Sequence, residues 1–111
     1  MITSEQKNQM TEKVVVAIDP ELKELIPSFL ANKRRDVGFL ADALVGRDFD
    51  AISRLAHRLK GEGGSYGFDL ITDLGRELED AAQSHDARLV QQCIDRLGDY
   101  LANVEVVFAP S

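Results

Sequence analysis

Residues 53–67, with the sequence SRLAHRLKGEGGSYG, decide how this chain is interpreted. Just before the glycines, apolar residues recur at steps of three and four, the spacing of one face of an α-helix. These core-side residues are Ile52, Leu55, Ala56 and Leu59. His57 falls about 150° from the centre of that cluster around the helix axis. The sequence therefore predicts that His57 points toward solvent.

Three residues share the predicted outward side of this helix with His57. Lys60, Gly61 and Gly64 follow it in the chain, each within about 60° of His57 around the axis. A glycine inside a helix costs about 1 kcal/mol relative to alanine. We expect the missing side chains to let another surface approach the imidazole closely. A loop from Gly63 to Gly67 is compatible with this arrangement, because only Gly61 and Gly64 need a helical backbone.

An exposed imidazole beside an ammonium group suits phosphoryl transfer. Neutral imidazole is a good nucleophile near neutral pH, and a lysine attracts the oxygens of a phosphoryl group. A phosphorylated imidazole keeps a high transfer potential, so it can receive the group from one donor and pass it to another acceptor. Both partners must reach the same ring nitrogen, which requires the exposure predicted for His57.

The run Ala56-His57-Arg58-Leu59-Lys60-Gly61 resembles histidine-containing phosphotransfer (HPt) domains. The signature of that family is His, Lys at +3, Gly at +4 and Gly at +10, and it is matched by His57, Lys60, Gly61 and Gly67. The resemblance covers about residues 19–108, including the stretch at 78–82. It implies an all-α fold with His57 as the phospho-acceptor at its Nε2 atom and Lys60 as an electrostatic aid to phosphoryl binding.

The resemblance also implies the partners of this chain. These are receiver domains of response regulators and of hybrid histidine kinases, which carry an aspartyl phosphate. Gly61 and Gly64 would admit the receiver surface, and Gly67 would shape the turn after the histidine helix. The receiver would supply the magnesium site, so we expect no cofactor and no metal on this chain. The resemblance implies a phosphocarrier without ATP-dependent kinase activity.

Four arginines are weaker candidates for partner contacts. They are Arg34, Arg35, Arg54 and Arg58. Arg34 and Arg35 follow an amphipathic stretch, so a solvated helix face is the favoured interpretation. A rim contact with an acidic receiver surface is the functional alternative.

Proline and glycine divide the remaining sequence into helical blocks with a period close to 3.6 residues. The first block begins at Asp19-Pro20 and runs to about Val45, with a kink or break expected at Pro27. Asp48 and Asp69 are the expected caps of the second and third helices. The last helix is expected to carry the apolar residues from Leu89 to Phe108. Short links favour an antiparallel up-and-down four-helix bundle with an extra N-terminal helical segment.

The N-terminal region differs from these blocks. Residues 1–13 are polar, without the apolar stretch of a signal peptide, and we expect them to form a tail before a bundle at 14–109. Val14–Ile18 is a short apolar run. Because no other segment offers an obvious strand partner, we expect this run to lie extended across a helical surface.

Composition limits the possible functions. The 111 residues include 13 Lys or Arg and 19 Asp or Glu, a formal charge of −6, which disfavours nucleic acid as the main partner. No apolar run approaches the roughly 20 residues of a membrane span. The one cysteine, Cys93, excludes an internal disulfide and is expected in the core. We expect a monomeric, cytoplasmic single domain without a membrane partner.

Three other functions remain open. Residues 60–68 also resemble the phospho-acceptor domain of chemotaxis-type histidine kinases, in which the donor is a kinase domain. A helical docking adaptor that is never phosphorylated is the second. A metal-binding bundle is the weakest, because neither His57 nor His85 follows a glutamate at the Glu-x-x-His spacing. His85 is better interpreted as a turn residue.

Overall fold

The computed structural model describes residues 13–109. Most of this range forms four helices: α1 (Ile26–Val45), α2 (Phe49–Ser65), α3 (Asp69–Gln83) and α4 (Ala87–Asn103). Two short strands flank them, β1 (Val14–Ile18) and β2 (Val104–Phe108). The predicted four-helix architecture is confirmed. The antiparallel up-and-down order stays a prediction, favoured by the three-residue links between the helices.

Aspartate side chains cap two of these helices: Asp48, as predicted, begins α2, and Asp86 begins α4. The side chain of Asp48 accepts a hydrogen bond from the Ala51 amide, and Asp86 does the same for Leu89, both at 3.1 Å. The prediction for α3 was wrong. Asp69 is the first helical residue, where its charge favours the helix dipole, and the cap position belongs to Phe68, which makes no side-chain cap. Phe68 is fully buried, so this position serves the core.

Pro27 breaks the first predicted block. Helix α1 begins at Ile26 and carries Pro27 in its first turn, where the missing amide proton is not needed. The expected extra N-terminal helical segment is therefore only a 3-10 turn at Pro20–Leu22. Asp19 does cap that turn, since its side chain accepts a hydrogen bond from the Glu21 amide at 2.9 Å.

The strands correct two further predictions. β1 and β2 pair in parallel, from Val14 opposite Val104 to Ile18 opposite Phe108. The run Val14–Ile18 therefore has a strand partner, and that partner is the segment expected to end the last helix. Positions four residues apart share a face in a strand as well as in a helix, so Val104 and Phe108 fit both patterns. The β-branched residues of Val104–Phe108 favour the strand.

The core lies among the four helices. Helix α1 packs against α2 and α4, and α3 packs against α2 and α4, which closes the bundle. Phe29 of α1 stacks on Tyr66 and Phe68 beside the α2–α3 link, with ring centroids 4.2 and 5.3 Å apart. Cys93 is buried as expected, and burial raises the pKa of its thiol. Within residues 13–109, no helix has the length and apolar character to cross a membrane.

Candidate functional site

Helix α2 has a buried face and an exposed face in the predicted positions. Ile52, Ala56 and Leu59 are almost fully buried, and Leu55 is nearly so. The side chain of His57 is 69% exposed. The prediction that the imidazole faces solvent is confirmed.

A glutamate from the neighbouring helix joins His57 to Lys60. Glu79 of α3 places Oε2 at 3.0 Å from Nδ1 of His57, and its Oε1 accepts a hydrogen bond from Nζ of Lys60 at 2.9 Å. The Glu79 side chain is only 14% exposed, whereas Lys60 remains one third exposed. One largely buried carboxylate therefore fixes both outward-facing groups.

The charge of Glu79 determines which imidazole nitrogen is free. The hydrogen bond from Lys60 lowers the pKa of Glu79 below its usual 4.5; burial opposes this, and the contact with His57 lowers the pKa further. Glu79 is therefore ionised at neutral pH and can only accept hydrogen bonds. The proton in the contact must then lie on Nδ1 of His57. In the neutral imidazole this tautomer leaves the lone pair on Nε2, the nitrogen that is not engaged by Glu79.

The role of Glu79 was not predicted from the sequence, although Glu79 lies in the stretch at 78–82 that fits the family resemblance. A glycine four residues earlier is a sequence feature that could have indicated the position of Glu79. Gly75 precedes Glu79 by four residues, so both lie on one face of α3. A Cβ atom at Gly75 would lie 2.6 Å from the Lys60 amide nitrogen and 3.0 Å from the Ala56 carbonyl oxygen. Gly75 therefore marks the face along which α3 approaches α2 closely enough for Glu79 to reach His57.

Gly63 makes a second close approach from the side of α2. A Cβ atom there would lie 2.6 Å from the Thr72 amide nitrogen and 2.8 Å from the Phe68 carbonyl oxygen. Helix α2 continues to Ser65, so Gly63 and Gly64 are helical rather than part of a loop. The two helices thus meet backbone against backbone at Gly63 and Gly75.

Of the three glycines expected to serve the partner, Gly61 and Gly64 differ from Gly63, whereas Gly67 does not. Gly61 is exposed, and a Cβ atom there would meet nothing within 4 Å. At Gly64 the only neighbour within that distance would be the Thr72 hydroxyl, at 3.5 Å. Packing within residues 13–109 therefore does not require either glycine. Gly67 has a φ of +89°, and a Cβ atom there would lie 2.8 Å from Ile18 Cδ1, so its own backbone and packing require glycine.

Comparison with known families identifies this arrangement. A family model described as the Hpt domain matches residues 24–106. The chain belongs to the Hpt domain family. The matched range holds all four helices and the histidine site, whereas β1 precedes it. The comparisons with curated proteins and with solved structures gave no match.

Membership of this family indicates the general role of the chain. Hpt domains act in histidine phosphotransfer within two-component phosphorelays, and they are phosphocarrier modules rather than kinases. The exposed His57, the adjacent Lys60 and the carboxylate that joins them are a geometry suited to that chemistry.

The Hpt domain brings three of the four candidate arginines together. Arg35 of α1 and Arg54 and Arg58 of α2 line an open cavity of about 620 Å³ between these helices. Phe39, 54% exposed, lies in the same cavity. Arg34 is directed elsewhere, because its guanidinium donates to the Leu101 carbonyl of α4 at 3.1 Å.

His85 lies apart from this site in the link between α3 and α4. It has a φ of +56° and its ring stacks on Phe49 with centroids 4.8 Å apart. These features agree with its interpretation as a turn residue.

Proposed function

We propose that this Hpt domain is a phosphorelay intermediate. In this proposal Nε2 of His57 takes a phosphoryl group from the aspartyl phosphate of a receiver domain, such as that of a hybrid histidine kinase. The same nitrogen then passes the group to the receiver of a response regulator. The main support is the exposed imidazole whose Nδ1 contacts Glu79 at 3.0 Å, which orients Nε2 as the nucleophile.

In the proposed transfer step the phosphoryl group passes directly from the receiver aspartate to Nε2 of His57. The lone pair of Nε2 forms a bond to phosphorus while the bond from phosphorus to the receiver aspartate oxygen breaks, and the aspartate leaves as a carboxylate. The imidazole keeps its Nδ1 proton and gains positive charge. Glu79 stabilises that charge through its contact with Nδ1. Lys60, 33% exposed, is placed to attract the phosphoryl oxygens.

The surface around His57 supports a receiver as the partner. Gly61 and Gly64 leave the helix bare on the side of the imidazole, so a second protein can approach Nε2. Arg35, Arg54 and Arg58 line the cavity between α1 and α2, the helix that carries His57. Asp36 lines the same cavity, and Arg54 pairs with Asp50 at 3.3 Å. A receiver presents acidic groups around its phosphorylation site, and these arginines suit its rim. We expect the magnesium ion to reside on the receiver and no cofactor on this chain.

A transfer assay tests the proposal. A receiver domain is phosphorylated with radiolabelled phosphoramidate, freed of the small donor and mixed with the protein. We expect acid-labile, base-stable label on the protein, no label on His57→Gln, and full labelling of the matched control His85→Gln. Transfer that survives His57→Gln would contradict the assignment. Testing all receiver domains of the source organism in parallel identifies the cognate partners from their initial rates.

This assay, together with a parallel one that offers ATP and a histidine kinase domain as the donor, separates the alternative functions. Label that arrives only from ATP and a histidine kinase domain would indicate a chemotaxis-type phospho-acceptor domain. Measurable receiver binding without any phosphate on the protein would indicate a docking adaptor.

A further inference from the structure

Thr72 of α3 reaches into the hydrogen-bond ladder of α2 at Lys60. Its hydroxyl oxygen accepts a hydrogen bond from the Gly64 amide at 2.7 Å and donates one to the Lys60 carbonyl at 2.8 Å. In an α-helix the amide of residue 64 pairs with the carbonyl of residue 60. The Thr72 hydroxyl therefore bridges the two groups that form one step of the ladder.

This bridge depends on Gly63. A Cβ atom at Gly63 would lie 2.7 Å from the Thr72 hydroxyl oxygen, so any side chain there would displace the hydroxyl. The bridge also lies where α2 needs support, because Gly61, Gly63 and Gly64 all weaken the helix. The opposite side of this segment is supported by α1, where the buried Lys33 pairs with Glu62.

Helix α3 contacts Lys60 twice. Thr72 bonds the backbone carbonyl of this lysine, and Glu79 bonds its ammonium group. Thr72 and Glu79 are seven residues apart, with Gly75 between them, so all three lie along one face of α3. The backbone and the side chain of Lys60 are therefore both held by the same neighbouring helix.

We propose that Thr72 is a positioning residue that sets the location of Lys60 relative to His57. This inference rests on the proposed phosphotransfer function. The bridge fixes the Lys60 backbone where α2 enters its last, glycine-rich turn. The Lys60 ammonium group is thereby kept at Glu79, whose other carboxylate oxygen contacts His57. Without the hydroxyl, the Lys60 backbone loses its anchor, while His57 and the receiver domain are unchanged.

The test compares Thr72→Val, which removes the hydroxyl at similar volume, with Thr72→Ser, which keeps it. We expect Thr72→Val to slow the first-order transfer step from a phosphorylated receiver roughly three- to tenfold, the rate effect of one lost hydrogen bond. The receiver concentration at half-maximal rate should not change, and Thr72→Ser should recover the rate to within about twofold. Ser65→Ala is the matched control, because Ser65 donates to the Gly61 carbonyl at 3.1 Å on the same helix without contacting Lys60.

A double-mutant cycle with Lys60→Met separates positioning from stability. If Thr72 acts through the ammonium group, Thr72→Val should cause no further slowing once Lys60→Met is present. Equal slowing in both backgrounds, or slowing that Thr72→Ser does not restore, would overturn the positioning role.

A measurement without phosphate keeps this inference separate from the proposed function. Nitrogen relaxation of the Lys60 ammonium group should show greater motion in Thr72→Val than in the unmodified protein or in Thr72→Ser. An unchanged ammonium would overturn the inference even if transfer is observed. A loosened ammonium in a protein that accepts no phosphate from any receiver would overturn the proposed function alone.

Discussion

Gly61 and Gly63 are separated by one residue on α2, yet they face opposite environments. Gly63 is buried, and a Cβ atom there would collide with the backbone and the hydroxyl of Thr72 in α3. Gly61 is exposed and has open space around it. The same residue type thus permits close packing on the inner side of the helix and leaves bare surface on its outer side.

The two sides serve one site from different directions. The close inner contact allows α3 to supply Glu79 to His57 and Lys60 and to supply Thr72 to the helix backbone. The bare outer side leaves room for a partner at the imidazole. We therefore expect inner substitutions to act first on stability and outer substitutions to act first on phosphotransfer.

The inner side is tested most strongly by Gly75→Ala. The added methyl group would meet the backbone of Lys60 and Ala56 within about 3 Å, and backbone cannot move aside cheaply. We expect the free energy of unfolding to fall by about 2–3 kcal/mol, measured by urea denaturation. Gly38→Ala is the matched control, because a methyl group in that α1 position meets nothing within 4 Å. It should stabilise the helix by up to about 1 kcal/mol. Equal stability of the two variants would contradict the close approach of α3 to α2.

The outer side is tested by Gly61→Gln. A helix-forming side chain in open space should leave the fold at least as stable as before. The same side chain should hinder an approaching receiver and reduce transfer roughly tenfold, the effect of about 1.4 kcal/mol of steric strain. The measurement combines urea denaturation with initial transfer rates. A stable variant that transfers phosphate at the normal rate would show that no partner approaches over Gly61.

The carboxylate that links the two sides predicts a pH dependence. The pKa of Glu79 is lower in the folded protein than its ordinary value of 4.5, mainly because Lys60 donates a hydrogen bond to it. Its contribution to stability is therefore present above that ordinary value and is lost as the pH falls through the folded-state pKa. Glu79→Gln should cost about 1 kcal/mol at pH 7, and this difference should shrink toward zero in acid below about pH 4.

The free energy of unfolding of both proteins is measured by urea denaturation from about pH 3 to about pH 8. Glu77→Gln is a suitable control, because Glu77 pairs with Arg96 at 2.9 Å on the exposed surface, where both side chains are about half exposed. A difference for Glu79→Gln that stays constant across this range would contradict an ionised link between Lys60 and His57.

The smallest effects concern the arginines on the outer side. Arg58→Ala should slow receiver association roughly two- to fivefold at low salt, since rim charges act mainly on the association rate. Arg34→Ala should have no such effect, because Arg34 is directed to α4. The measurement is the second-order transfer rate at two salt concentrations. Equal slowing by both variants would show that the receiver does not bind at the cavity between α1 and α2.

The sequence predicts those features that depend on neighbours within one helix. The exposure of His57 and the burial of Leu59 follow from helical periodicity alone. Asp48 begins α2 through a contact with Ala51, three residues away. Such local relations can be derived directly from the order of residues.

Features that depend on contacts between distant segments were missed. The pairing of β1 with β2 joins residues about ninety positions apart, and the spacing of Val104 and Phe108 fits a helix as well as a strand. Glu79 acts on His57 only because Gly63 and Gly75 bring two helices together. The sequence contains both glycines, but their partners are known only from the packed structure.

The central claim is that Nε2 of His57 carries the phosphoryl group while Nδ1 stays protonated toward Glu79. The most direct test is to phosphorylate the nitrogen-15-labelled protein from a phosphorylated receiver, locate the modified residue by tandem mass spectrometry and assign the ring nitrogens by NMR. We predict phosphate only on His57, with the phosphorus bonded to Nε2 and the proton on Nδ1. Phosphate on Nδ1, or on any residue other than His57, would contradict it.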